Sequence, residues 1–123
     1  MSPVLFFFVI IIAKCQKDVL MSSILSKKEC KSLIETEIYT DMNKNYNNEE
    51  VQILDDATIG KEWGYIFFYQ SIKYIKSGDF RDMLAGNAPY IINKHNGEII
   101  VTGTTHGVDF YIEEYEKNLE DSP

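Results

Sequence analysis

Two histidines are the side chains in this sequence best suited to proton transfer near neutral pH. His95 lies in the turn Lys94-His95-Asn96-Gly97, where we expect an exposed ring without a chemical role. His106 lies in "GTTHGV", between the predicted sheet and the last predicted helix, at a place where a base could act. It has no obvious Ser, Cys or Asp partner in the sequence, so catalysis by His106 ranks last among the functions considered.

The other residues with reactive or metal-binding side chains form no recognisable site. Cys15, Cys30 and the two histidines match no structural zinc spacing. Cys30 falls on the apolar stripe of a predicted helix, which favours a buried, inert thiol. The glycine-containing loops lack phosphate-binding spacing. We expect the adjacent acids to be solvated; they are Glu49-Glu50, Asp55-Asp56 and Glu113-Glu114. The sequence therefore predicts no catalytic residue, no metal and no cofactor.

The charge balance narrows the class of partner. The chain has 123 residues, enough for one domain with its own core, and carries 12 basic against 19 acidic side chains, for a net charge of −7. Binding to nucleic acid needs a basic face, so this balance argues against it. The acidic charge balance is better suited to a basic protein partner.

A helix is predicted over residues 27–46. Ser26 and Glu29 match a capping box, and Leu25 precedes it as a hydrophobic staple toward Cys30. An apolar stripe follows at helical spacing, made of Cys30, Ile34, Ile38, Met42 and Tyr46 and widened by Leu33 and Tyr39. Asn47-Asn48 is expected to end the helix.

Strands are predicted next. Val51 to Ile53 indicates a first strand, and residues 55–61 a polar turn region. "WGYIFFYQS", residues 63–71, predicts one central strand with bulky side chains on both faces and Trp63 as a packing anchor at its entrance. Tyr74-Ile75 either prolongs this strand or forms a short one, and residues 79–86 are compatible with one helical turn closed by Gly86.

The C-terminal third begins with a hairpin over residues 88–103, with Asn96-Gly97 at its turn, either type I′ or type I with Gly97 in a bulge. Gly107 then precedes a last helix, whose apolar face is Val108, Tyr111, Ile112, Tyr115 and Leu119. The expected fold is a single α+β domain with an N-terminal helix, an antiparallel sheet of three to five strands and a C-terminal helix.

The N-terminal segment stands apart. Residues 4–13, "VLFFFVIIIA", form an apolar run too short to span a bilayer, and no Lys or Arg precedes it as in a signal peptide. Three accounts stay open: a natural start at Met21 with residues 1–20 as a dispensable extension, an export or membrane-tethering signal through residues 4–15, or a buried strand. The expected domain is 21–123. Its expected location is the cytoplasm, unless residues 1–20 act as an anchor.

Residues 62–115 resemble the YrhB-type proteins, the immunity protein 35 family of bacteria. The resemblance rests on Trp63-Gly64 before an aromatic strand, on "LAGNAP" at 84–89, on the Asn96-Gly97-Glu98 hairpin, on Gly103-Thr104 and on a closing "YIEEY" at 111–115. It is strong over 54 residues and loose over about four fifths of the chain. The family typically lacks the apolar leader, which favours the start at Met21.

The resemblance implies a protein that protects a bacterium by binding a cognate toxin, with no catalytic residues. The shared residues are turn and backbone-geometry positions rather than a binding surface, namely Gly86, Asn87, Pro89, Asn96, Gly97 and Gly103. Trp63 belongs to the same candidate structural signature as a packing anchor. The toxin interface is left unassigned. A chaperone-like or stress-associated protein without a single partner is the alternative function.

Overall fold

The computed structural model of this protein describes residues 24–45 and 50–121. The predicted features at residues 1–20, Cys15, Tyr46 and 47–49 lie outside these ranges. Of the helices in the described ranges, none is long and apolar enough to cross a membrane.

Three helices and six short strands make up the described chain, with two single 3-10 turns, at Asp55–Ala57 and Phe80–Asp82. The α+β class with a helix at each end is confirmed. In chain order the elements are α1 (Lys27–Asn45), β1 (Val51–Ile53), β2 (Ile59–Lys61), β3 (Gly64–Phe67), β4 (Tyr69–Ser71), α2 (Ile72–Ser77), β5 (Tyr90–Asn93), β6 (Ile99–Val101) and α3 (Val108–Asp121).

The strands form two antiparallel sheets. Four lie in the order β2-β3-β5-β6, and β1 pairs with β4 separately. One face of the larger sheet packs against α1 through Tyr65, Phe67, Tyr90, Ile92 and Ile99. The opposite face packs against α3 through Ile59, Ile66, Ile91 and Ile100. Since side chains alternate along a strand, β3 and β5 supply apolar residues to both layers. This explains why bulky side chains were predicted on both faces of the aromatic segment.

Helix α1 begins at the predicted capping box. Ser26 N donates to Glu29 Oε1 at 2.8 Å, and Glu29 N donates to Ser26 Oγ at 3.1 Å. The residues of the predicted stripe at 30, 34, 38 and 42 are all buried. The prediction that Leu33 and Tyr39 widen this stripe was wrong, because Leu33 is 41% exposed and Tyr39 is 68% exposed. Tyr39 follows Cys30 by nine residues, or two and a half turns, which places it on the opposite side of the helix.

The single central strand predicted over residues 63–71 was also wrong. The chain changes sheets at Phe68, so that β3 belongs to the larger sheet and β4 to the smaller one. Neither strand account of Tyr74-Ile75 holds, since both residues lie in α2. Ser71 ends β4 and caps α2, because its Oγ accepts from Tyr74 N at 2.9 Å.

The polar region 55–61 has more regular secondary structure than the turn that was predicted there. It contains a 3-10 turn and β2, which joins β3 through a tight turn at Glu62-Trp63, with Lys61 opposite Gly64. The helical turn predicted within residues 79–86 is a 3-10 turn at Phe80–Asp82, and Gly86 follows it with φ +75°.

The β5–β6 hairpin is confirmed, and its loop has four residues, 94–97. Asn93 N donates to Glu98 O at 2.9 Å, and Gly97 N donates to Asn93 O at 2.8 Å. Gly97 has φ +76°. A two-residue type I′ turn at Asn96-Gly97 would place His95 opposite Glu98, but the register places Asn93 there. The alternative with Gly97 alone at the end of a longer turn therefore describes the hairpin.

Helix α3 begins after Gly107, as predicted. Ile112 and Tyr115 are buried, and Val108 and Leu119 pack beside them against the second face of the sheet. The two terminal helices thus enclose the four-stranded sheet.

Candidate functional site

The two histidines lie at exposed positions. His95 is at the tip of the hairpin, and His106 stacks against Phe110 with ring centroids 4.0 Å apart. Within residues 24–45 and 50–121, no group of three or more His, Cys, Asp or Glu side chains is arranged to hold a metal ion. The structure therefore does not assemble the histidines with other ligands or with a nucleophile in the described chain.

Cys30 is fully buried in the α1 layer, as predicted. Burial raises the pKa of the Cys30 thiol, and the carboxylate of Glu29 raises it further. A thiol that resists ionisation is a poor nucleophile, so Cys30 has the properties of a small core residue.

The acidic pairs are solvated where they are described. Asp55 forms an ion pair with Lys31 at 2.8 Å and remains well exposed. Asp56, Glu113 and Glu114 are exposed as well. No pair of carboxylates in this group is enclosed in a way that would support acid–base catalysis.

Trp63 connects the β2–β3 turn to α3. Its indole Nε1 donates to Glu116 Oε2 at 3.0 Å, and its ring lies 4.7 Å from the ring of Tyr115. Lys61 approaches the same Glu116 oxygen at 3.6 Å. The side chain is half-buried and contributes to the second core layer, so its contacts are those of a packing anchor.

A cleft of about 250 Å³ opens near the C-terminal half of α1. Gly86 and Gly103, two of the residues that carry the family resemblance, line it. The rest of its wall includes Asp41, Met42, Tyr69, Tyr90 and residues 101–104. The wall of this cleft includes the charged side chain of Asp41, and the sequence alone did not predict the cleft.

Two further resemblance residues hold the walls of this cleft in place. Asn87 Nδ2 donates to the main-chain oxygen of Tyr69 at 2.7 Å. The main-chain oxygen of Pro89 accepts from Thr102 twice, from its N at 3.1 Å and from its Oγ1 at 2.7 Å. The segment 86–89 is therefore tied to β4 on one side and to the end of β6 on the other.

A phenol and a carboxylate supply the polar chemistry of the cleft. Tyr90 Oη donates a short hydrogen bond to a carboxylate oxygen of Asp41. Burial, followed by this hydrogen bond, raises the pKa of the Tyr90 phenol, and the charge of Glu37 adds to the effect. Because its raised pKa keeps the phenol protonated, Tyr90 remains a hydrogen-bond donor to Asp41 at the cleft wall.

Two glycines allow close approach between chain segments. A Cβ on Gly103 would lie 2.6 Å from Tyr111 Oη, so a side chain there would displace that ring. A Cβ on Gly64 would lie 1.9 Å from the main-chain oxygen of Ile92. The role of Gly64 was not recognised in the sequence, although a glycine inside a strand pattern is the usual signal for such an approach.

A buried polar network joins the hairpin to α3 and was also missed. Asn93 Nδ2 donates to Tyr115 Oη at 3.0 Å, and that hydroxyl donates to Glu98 Oε1 at 3.0 Å. Asn93 Oδ1 accepts from the main-chain N of His95 at 2.8 Å. These bonds satisfy the polar atoms of a side chain that is only 4% exposed, which fixes the base of the hairpin loop.

Apolar side chains are exposed around α2. Phe80 is 79% exposed, and Ile75 and Met83 are each about 40% exposed. Phe80 is stacked on Tyr74 with ring centroids 6.4 Å apart, and the 3-10 turn that carries it is braced by Arg81 and Asp79 at 2.7 Å. Exposed aromatic side chains on ordered segments are typical of protein-binding surfaces.

Comparison with known proteins places the chain in a family. The family model described as immunity protein 35 matches residues 37–117, which include both sheets, the cleft and most of α3. The "Uncharacterized protein YrhB" of Escherichia coli (strain K12) is 40% identical over 53 residues, which is 43% of this chain. The matched segment spans 56% of that relative's length. No solved structure matches significantly. Since the family model covers about two thirds of the sequence, the chain belongs to the immunity protein 35 family.

Proposed function

We propose that this protein protects the bacterium that produces it by binding a cognate toxin and blocking the toxin stoichiometrically, without catalysis. Its place of action is the cytoplasm, unless residues 1–20 tether it to a membrane. The observation that carries the proposal is the match to immunity protein 35 over residues 37–117.

Surface features of the described chain support a binding role. The cleft with Asp41, and the exposed Phe80 on its braced turn, present side chains to solvent in fixed positions. His95 and His106 are exposed and have no acidic partner among their described contacts. These arrangements favour recognition of another protein over the chemistry of a small substrate.

The partner that suits this protein is a basic toxin domain. A net charge of −7 on 123 residues creates a negative potential around the protein, and complementary charge accelerates association. We infer that the affinity falls as salt is added, since screening weakens attraction between exposed charges.

The decisive experiment expresses the product of the gene next to this one as the candidate toxin. Cells that express the toxin domain are expected to survive only when the present protein is co-expressed, and native mass spectrometry is expected to show a complex of fixed stoichiometry. Continued cell death despite soluble expression of both proteins would contradict the proposal.

Two controls separate this function from its alternatives. His95→Ala and His106→Ala are expected to protect as well as the parent protein, and loss of protection in a folded variant would favour an enzyme. A chaperone-like protein would instead suppress the aggregation of unrelated, heat-denatured proteins and would show no single partner. The exposed apolar groups around α2 make this second test worthwhile.

A further inference from the structure

Strand β6 lies at the edge of the four-stranded sheet, and its main-chain groups face two ways. Asn93 N donates to Glu98 O, and Thr102 N donates to Pro89 O, so residues 98 and 102 turn toward β5. Hydrogen-bonding direction alternates along an antiparallel strand, which turns Ile100 toward β5 as well. The N–H and C=O groups of Ile99 and Val101 therefore point away from the sheet.

In the described ranges, no strand pairs with this outer edge of β6. Val101 is 53% exposed, which shows that the far half of the strand is open to solvent. An exposed edge of this kind is a template on which another extended segment can add as a further strand.

The cleft lies directly beside the open edge. Val101 is paired with Tyr90, so the two side chains share the α1 face of the sheet, and both line the cleft with Asp41. A strand added to β6 would place the residue opposite Val101 on this same face. A long side chain from that residue would reach over Val101 into the cleft.

The acidic residues around the cleft favour a positively charged side chain from the added strand. Asp41 lies in its wall, and Glu37, one helical turn earlier on α1, also acts on the Tyr90 phenol. A carboxylate in the wall of a cleft, with a second one nearby on the same helix, attracts an ammonium or guanidinium group. The net charge of the whole chain has the same sign.

We propose that the toxin binds by adding an extended segment to the outer edge of β6, with a lysine or arginine of that segment inserted into the cleft toward Asp41. Main-chain hydrogen bonds at Ile99 and Val101 provide the docking, and the Asp41 carboxylate provides the selection. This inference rests on the proposed function and names the interface through which it operates.

The first test compares two substitutions at one position, with the candidate toxin from the protection experiment as the probe. Val101→Pro removes an outward N–H that pairs with no strand of the described chain, and proline is tolerated at such edge positions. Val101→Thr keeps the N–H and the β-branched shape. The proline variant is expected to bind the toxin domain at least about tenfold more weakly than the threonine variant, with similar melting temperatures.

A second pair of variants tests the cleft. Asp41→Asn keeps a hydrogen-bond acceptor for Tyr90 but removes the charge, and it is expected to weaken binding about tenfold at low salt and less at high salt. Asp56→Asn removes the same charge from an exposed position on the 3-10 turn Asp55–Ala57 and is the control, which is expected to bind like the parent protein. Phe80→Ala tests the exposed apolar surface around α2: if it abolishes binding while Val101→Pro and Asp41→Asn do not, the interface lies around α2 and the inference is wrong.

Hydrogen exchange gives a readout that does not depend on variants. The amides of Ile99 and Val101 are expected to exchange at least about a hundredfold more slowly in the complex, while that of Gly60 on the opposite edge strand is unchanged. Unchanged exchange at Ile99 and Val101 in a protective complex would overturn the inference and leave the proposed function standing.

Hydrogen exchange of the protein without toxin gives the remaining outcomes of this test. Slow exchange at Ile99 and Val101 without toxin, at every protein concentration, would mean that another segment of this chain occupies the edge. Slow exchange only at high concentration would mean that a second copy does. Either result would overturn the inference, whereas failure of the parent protein to protect or to bind would refute the proposed function itself.

Discussion

Trp63 and Glu116 are joined by a hydrogen bond from the indole Nε1 to Oε2 at 3.0 Å, across 53 residues of sequence. The bond connects a tight turn at one end of the sheet to the middle of α3. The indole ring also packs against Tyr115, so the same side chain contributes both polar and apolar contacts.

Trp63→Phe is expected to lose this hydrogen bond while keeping most of the packing, and to lower the free energy of unfolding by about 1 kcal/mol. Trp63→Ala removes both and is expected to cost about 3 kcal/mol. Urea unfolding measures both values. Combining Trp63→Phe with Glu116→Ala should cost little more than either change alone, since they break one bond. Full additivity would show that the two side chains do not interact.

Gly64→Ala is expected to destabilise the protein by at least about 3 kcal/mol, because the added methyl group would overlap the main-chain oxygen of Ile92. Gly60→Ala is the matched control on the neighbouring strand. Its methyl group would meet only the side chain of Tyr65 at 3.8 Å, and a change within about 0.5 kcal/mol is expected. Equal melting temperatures for the two variants would contradict the close approach of β3 and β5.

Gly97→Val is expected to lower the free energy of unfolding by about 1–3 kcal/mol, because a β-branched residue is strained at φ +76°. Gly97→Asn, which tolerates positive φ better, should cost less. Toxin affinity is expected to fall only as far as the folded fraction falls. An unchanged melting temperature with abolished affinity would place the hairpin tip in the interface.

Stability at alkaline pH is expected to depend on Tyr90. Its pKa is raised in the folded protein, so above the ordinary phenol value of 10.0 the unfolded chain loses a proton that the folded chain retains. The free energy of unfolding therefore falls as the pH rises above about 10. Urea titrations from about pH 8 to 11 should show a smaller fall for Tyr90→Phe. Tyr39→Phe, at an exposed position, is the control and should behave like the parent protein.

A chain that starts at Met21 is expected to fold and to protect cells like the full chain. The capping box that begins α1 lies C-terminal to Met21, and so do both core layers as formed by the described residues. Melting temperature and survival assays would test this. Protection by the full chain alone, with the protein in the membrane fraction, would favour a tethering role for residues 1–20.

Features that depend on neighbouring residues were predictable from the sequence. The capping box at Ser26 and Glu29, the four-residue stripe of α1 and the glycine of the β5–β6 loop are each specified within a few positions. Each uses a local hydrogen bond or a local backbone preference, so the sequence window contains the whole cause.

Features that depend on distant contacts were not predictable in this way. The division of residues 63–71 at Phe68 follows from β1 pairing with β4, and the aromatic composition is the same on either side of the break. The cleft joins Asp41 to Tyr90 across 49 residues, and neither side chain suggests the other. The clash that would follow a side chain at Gly64 depends on the register of β5, which no local pattern contains.

The position of α3 after all the strands of the sheet affects how the protein is made. Its residues cover the sheet face of Ile66 and Ile91, and they are the last part of the described chain to leave the ribosome. Until then, a nascent chain that has formed its hairpins presents that apolar face to the cell, where it is prone to aggregation. A newly synthesised molecule therefore completes its second core layer only after α3 has left the ribosome and docked on the sheet.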